Sequence, residues 1–118
     1  MIRGRINAQG EPFVRLVVHG ARKRRIEAIL DTGFTGHLCL ARRHRRWMDL
    51  RPVGDVETEL ADGSRTMQPA YLGQITFVGG TRQVFVTLTA SRDSLIGTAL
   101  LLDKQVHLDF RRGHVKVA

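Results

Sequence analysis

One carboxylate in this sequence arrives in a setting suited to chemistry. Ala28-Ile29-Leu30-Asp31-Thr32-Gly33 runs an apolar segment into an acid, a small hydroxyl residue and a glycine. An acid beside an apolar run is costly to bury unless it is hydrogen-bonded or partnered. Gly33 lets backbone N–H groups approach the carboxylate closely, and the Thr32 hydroxyl can bond to a neighbouring backbone. A carboxylate held this way can act as general base on a water. That requires a second carboxyl sharing its proton, whose protonated form polarises the carbonyl under attack. Asp-Thr-Gly occurs once and Asp-Ser-Gly not at all, while Asp62-Gly63-Ser64 has the wrong order. The two-fold axis of a homodimer would bring in a second Asp31. Taken by itself, the triplet reads better as a structural turn, which Asp favours.

The other reactive side chains form no competing set. His19, His37, His44, His107 and His114 lack the spacing of metal ligands. His107-x-Asp109 places two donors on one strand face, with no third or fourth to join them. No metal and no cofactor is expected. Cys39 is the sole cysteine, so no internal disulfide can form. It lies in an apolar run, which points to a core residue rather than an activated thiolate. Trp47 and Met48 also read as core.

These residues must be positioned by short strands. Arg3 to Ala8 and Phe13 to His19 flank Gln9-Gly10-Glu11-Pro12, a hairpin turn. Arg25 to Leu30 is a strand running into Asp31, and His37 to Leu40 is a short apolar run after Gly36. Ala41 to Leu50 is a helix candidate: Leu40, His44, Trp47 and Met48 fall near helical spacing, the intervening arginines take the other face, and Pro52 ends it. Val53 to Leu60 and Ser64 to Tyr71 surround Ala61-Asp62-Gly63, a hairpin tip with glycine where positive φ is wanted. Leu72 to Val78 and Arg82 to Leu88 flank Gly79-Gly80. Leu95-Ile96-Gly97 leads into a short helix over Thr98 to Leu102, and Val106 to Phe110 pairs with His114 to Val117. Eight or nine short strands with two short helices indicate an all-β barrel or sandwich.

Composition narrows the class. The 118 residues suit one domain, 1–118, with 42% apolar and 6% aromatic residues, so the core rests on Val, Leu and Ile. No apolar stretch approaches the roughly 20 residues of a membrane span. Met1 to Arg5 lacks the apolar region of a secretory signal, and a single cysteine fits a reducing compartment; a cytoplasmic location is expected. The formal net charge is +8 and the pI about 11.2, which attracts anions. Arg22-Lys23-Arg24-Arg25 and Arg42 to Arg46 read as a charged turn and a solvated helix face, since no aromatic platform interleaves with them. The competing reading is a basic nucleic-acid-binding domain; at this level only nonspecific contact with nucleic acid is expected.

Three features stand in the order found in one family: Leu30-Asp31-Thr32-Gly33, the strand–turn–strand around Asp62-Gly63, and Leu95-Ile96-Gly97 before a helix. With Leu108-Asp109-Phe110 near the end, the sequence resembles the retropepsin-like aspartic proteases. The resemblance spans about Ile6 to Val117. It is closest to a bacterial and archaeal branch with Asp-Thr-Gly-Phe-Thr/Ser-Gly. It implies a small closed β-barrel of retropepsin type and a homodimeric endopeptidase acting on peptide or protein substrates. Asp31, Thr32 and Gly33 would be catalytic, with Thr32 locking the two loops together. Phe34, Thr35, Ala61, Asp62, Gly63, Ile96 and Gly97 would line the substrate site, and the Gly63 hairpin would close on substrate as a flap. Phe34 and Thr35 replace the Ala and Asp usual in retroviral enzymes. By the same resemblance, Met1 to Arg5 and His114 to Ala118 would form the dimer interface. A non-catalytic dimeric binding module of the same fold is the alternative.

Overall fold

The computed structural model describes residues 1–118. Alternating apolar residues produce ten strands: β1 (Ile2–Ile6), β2 (Pro12–Val18), β3 (Arg24–Leu30), β4 (Leu38–Ala41), β5 (Arg51–Glu59), β6 (Arg65–Phe77), β7 (Gly80–Thr89), β8 (Ser94–Ile96), β9 (Val106–Asp109) and β10 (His114–Val117). They form one sheet in the order β5-β6-β7-β4-β8-β3-β2-β1-β10-β9.

The sheet also meets itself. Val17 pairs with Thr76 and Val18 with Ile75, joining β2 to β6. The strands β6, β7, β4, β8, β3 and β2 therefore close into a ring, its seam continued by the His19 N–H donating to the Gln74 carbonyl at 2.9 Å. The chain is all-β as expected, but the sheet is not a simple closed barrel. The remaining strands extend from the ring, β5 on one side and β1, β10 and β9 on the other.

The period-2 pattern sends one residue of each pair into the ring. Val14, Leu16 and Val18 of β2 meet Ile26, Ala28 and Leu30 of β3, with Leu38, Leu40, Ile75, Phe77, Val84, Val86 and Ile96 from the other strands. Branched aliphatic residues dominate, as the scarcity of aromatics requires. Ser94 is the one fully buried polar side chain; its hydroxyl accepts the Ala41 N–H at 3.0 Å and ties β8 to β4.

Local structure departs from expectation in four places. The segment Ala41 to Leu50 is not an α-helix. It forms a 3-10 helix over Arg42–Trp47 with no buried residue, no side-chain N-cap and no acid in its first turn. Four arginines against uncompensated N–H groups disfavour a longer helix, and the flanking residues are taken by β4 and β5. The second helix is a single 3-10 turn, Thr98–Leu100. Tyr71 and Leu72 do not belong to separate strands: β6 runs unbroken for 13 residues, exposed over its first half and buried over its second. Cys39 is half-buried rather than in the core.

The two ends of the chain meet in the sheet. β1 pairs with both β2 and β10, and β10 lies between β1 and β9. β1 and β10 thus lie inside the sheet, whose two edge strands are β5 and β9. No helix is long and apolar enough to cross a membrane.

Ile75 is fully buried and also pairs with Val18 at the ring's seam. Ile75→Ala should cost about 2–5 kcal/mol in chemical denaturation. It should also increase hydrogen exchange at the Val17 and Val18 amides more than at those of β10.

Candidate active site

The segment 28–31 continues a ladder between two parallel strands. Ala28, Ile29 and Leu30 pair with Ser94, Leu95 and Ile96, and the Asp31 N–H donates to the Ile96 carbonyl at 2.9 Å. Both strands end together, so Asp31 and Gly97 emerge at one end of the ring. Ile26, Ala28 and Leu30 fill the core, which leaves Asp31 following the outward side of Ile29, half-exposed at the surface.

The turn that follows is self-supporting. The Gly33 N–H donates to the Asp31 carboxylate at 2.9 Å, and the Phe34 N–H donates to the Asp31 carbonyl at 3.1 Å. One carboxylate oxygen is thereby aimed by the backbone, without a lysine or arginine partner. Thr32, Gly33 and Thr35 are exposed. The Thr32 hydroxyl makes no hydrogen bond within the chain, so it is free to bond outside it.

A second layer of bonds locks the loop onto β8. Gly97 N–H donates to the His37 carbonyl at 3.0 Å, Thr98 N–H to the Phe34 carbonyl at 2.8 Å and Ala99 N–H to the Gly36 carbonyl at 3.2 Å. The approach is so close that only glycine fits. A Cβ on Gly97 would run into the Gly36 carbonyl oxygen, and one on Gly36 would lie 2.7 Å from the Phe34 ring. Asp31, Gly33, Phe34, Ile96 and Gly97 therefore form one connected unit, with Ile96 a buried support rather than a surface.

Ala61, Asp62 and Gly63 are not joined to that unit. They cap an exposed ribbon made by β5 and the first half of β6. Gly63 has φ +85°. The Asp62 carboxylate accepts the Ser64 N–H at 2.9 Å and its hydroxyl at 2.5 Å. These two bonds, the hydroxyl's first, hold the Asp62 carboxyl below its ordinary range. The tip's hydrogen bonds all close within residues 60–64.

The remaining candidates behave simply. Burial raises the Cys39 thiol above its ordinary value, with a partly offsetting bond to Thr87, which suits an inert residue. No cluster of three metal-ligating side chains exists.

Sequence reasoning gave His37 no role. It sits beside Gly36, stacks on Phe85, accepts the Phe85 N–H through Nδ1 at 3.1 Å and lies 3.3 Å from Arg82. Burial, then the Arg82 charge, lowers its pKa below 6.5. No periodic signal could reveal this, because its partners lie on β7.

Two outcomes follow. Gly97→Ala should destabilise the fold by about 3 kcal/mol or prevent folding, read by denaturant titration. His37 and His44 both have depressed values. The unfolded chain therefore takes up protons first as pH falls through 6.5, and the stability these two neutral rings contribute is lost. The melting temperature should drop between about pH 7.5 and about pH 5, and His37→Gln should flatten part of that drop.

No protein-family model matches the chain, and no curated protein matches it in sequence. Solved structures do match in shape. A retropepsin-like aspartic protease from Rickettsia conorii superposes with a TM-score of 0.64 at 16% identity, over 97% of this chain and 86% of that one. The foamy viral protease-reverse transcriptase, solved in complex with an RNA/DNA hybrid, gives 0.57 at 15% identity, over 80% of this chain and 13% of that longer one. With Asp31 at the end of paired parallel strands and Gly97 packed behind its loop, the chain has the fold of the retropepsin-like aspartic proteases.

Proposed function

We propose that residues 1–118 form a single retropepsin-like unit that acts, as a homodimer, as an aspartic endopeptidase. The observation that carries this reading is the anchoring of Asp31. Its carboxylate is aimed by the Gly33 N–H at an exposed turn, and nothing within the chain neutralises it. Such a group lacks only its partner. A two-fold axis beside Thr32 supplies a second Asp31, and two carboxyls brought close together share one proton. The charged member takes a proton from water while the protonated member polarises the peptide carbonyl. No metal or cofactor is needed.

The other roles follow from exposure. Thr32 bonds across the axis to the partner's loop. Phe34 and Thr35 flank the carboxylates, with Gly97 behind them. The Ala61-Asp62-Gly63 ribbon closes over an extended peptide and adds backbone hydrogen bonds to it. The free β9 edge carries exposed Val106 and Leu108, with Phe110 just beyond, and offers pairing to a second copy. The one free cysteine and the absence of any disulfide suit the cytoplasm. A non-catalytic dimer of the same fold is the second reading, supported by the exposed apolar β9 edge, which serves dimerisation with or without chemistry.

The test is cleavage of a diverse peptide library between about pH 3 and pH 7, wild type against Asp31→Asn. Wild-type cleavage that falls at least about 100-fold in the variant supports the mechanism. Cleavage that survives in the variant assigns the activity to another nucleophile and overturns the proposal. A stable dimer, by sedimentation, with no cleavage by either protein favours the binding module.

A further inference from the structure

The two basic clusters, separate in sequence, meet in space. Arg24 lies over the Trp47 ring, 4.7 Å from its centroid, and Gly20 bridges to Met48. The turn 20–23 and the start of β3 are thereby fastened to the 3-10 helix Arg42–Trp47. Between that helix and the outer face of β1, β2 and β3 runs a cleft of about 810 Å³. Arg5, Arg15, Arg25, Arg43 and Arg92 reach into it, against Glu11, Glu27 and Asp93.

Little of this charge is neutralised. The chain's ion pairs are Arg5–Glu27, Arg65–Glu57, Lys104–Asp103 and Arg112–Asp109. Only the first touches the cleft, and it also removes Glu27 as a partner for the others. Glu11 is engaged by the Asn7 amide at 2.9 Å. Arg15, Arg25, Arg92, the rest of the 22–25 turn and all four arginines of the 3-10 helix have no carboxylate partner. Burial first, then the charges of Arg43 and Arg24, also depress His44 at the cleft wall. Concentrated like charge is unfavourable until an anion occupies it.

The shape selects among anions. A lipid surface is broad and needs protruding apolar residues to engage it, whereas these cations line a concavity. The floor residues Phe13 and Ile26 are buried beneath it. Trp47 is already covered by Arg24, so no ring is free to stack a base. None of the Asp31 turn, residues 31–35, lines the cleft. Arg25 lies near the start of β3 and Asp31 just past its end, about 20 Å apart along the extended chain.

We propose that this cleft binds the phosphodiester backbone of single-stranded nucleic acid without regard to sequence, as a site separate from the Asp31 turn. The proposal does not rest on the peptidase reading. The probe is a fluorescent oligothymidylate of about 15 nucleotides, titrated by anisotropy across a range of salt. Four phosphates engaged by the cleft give a slope of log K against log salt of about −3. Arg25→Gln/Arg43→Gln should weaken binding at least about tenfold and reduce the slope by about 1.4. Arg65→Gln/Arg82→Gln removes the same charge elsewhere and should stay within about twofold of wild type. Both pairs are exposed, and circular dichroism checks that they fold. Asp31→Asn should bind like wild type.

Equal losses in the two double variants would reduce the binding to net charge and overturn the proposal. So would tighter binding of a duplex of the same length, since it would not enter the cleft. Capture by phosphatidylserine vesicles through the same arginines, without oligonucleotide binding, would assign the surface to membranes instead.

Discussion

The carboxylate end of the molecule depends on the parallel pairing of β3 with β8. Strands that run side by side in one direction also stop side by side. Their two exits, Asp31 and Gly97, are then delivered to the same place. A hairpin could not do this, because its strands meet only at the connecting turn. Parallel pairing needs a long crossover, and the stretch between residues 31 and 94 supplies it. That crossover contains β4, the 3-10 helix, the β5–β6 ribbon and β7. The ribbon is thus built into the same excursion that brings β8 back to β3.

Glycine makes the pairing tight. The loop 33–37 and the 97–99 segment exchange three backbone bonds across a gap with no room for a side chain. The Asp31 loop is therefore tied to a second segment, whereas the Asp62 tip bonds only to itself. Two loops of one crossover thus differ in kind.

The sequence made some of this plain and hid the rest for physical reasons. Ile29-Leu30 before Asp31-Thr32-Gly33 was readable because an apolar run ending in a polar turn is a local pattern. Asp62-Gly63 and Gly79-Gly80 were readable because hairpins need positive φ, which the structure places at Gly63 and Gly79. The seam between Val17–Val18 and Ile75–Thr76 was not, since residues so distant in sequence carry no shared period. The helix expected over Ala41 to Leu50 failed because Leu40 and Met48 serve strand-like contacts, and arginines alone do not sustain a helix. The same spacing that mimicked a helical face set His44 and Trp47 edge to face. The meeting of the two arginine clusters was likewise invisible, being a tertiary contact between a turn and a segment some 20 residues later.

The pairing of β1 with β10 has a mechanical consequence. Ile2 faces Val117, and Arg5 faces His114, so the first and last residues emerge together at one end of an antiparallel pair. A pull applied across Met1 and Ala118 acts at right angles to the strands. It loads the ladder's hydrogen bonds one after another, as a zipper opens, rather than all at once in shear. The chain is therefore soft to tension along that axis, however well its core resists heat or denaturant. Opening from that corner strips β1 from β10 first, while the Asp31 turn lies beyond β2 and β3 and would be reached late.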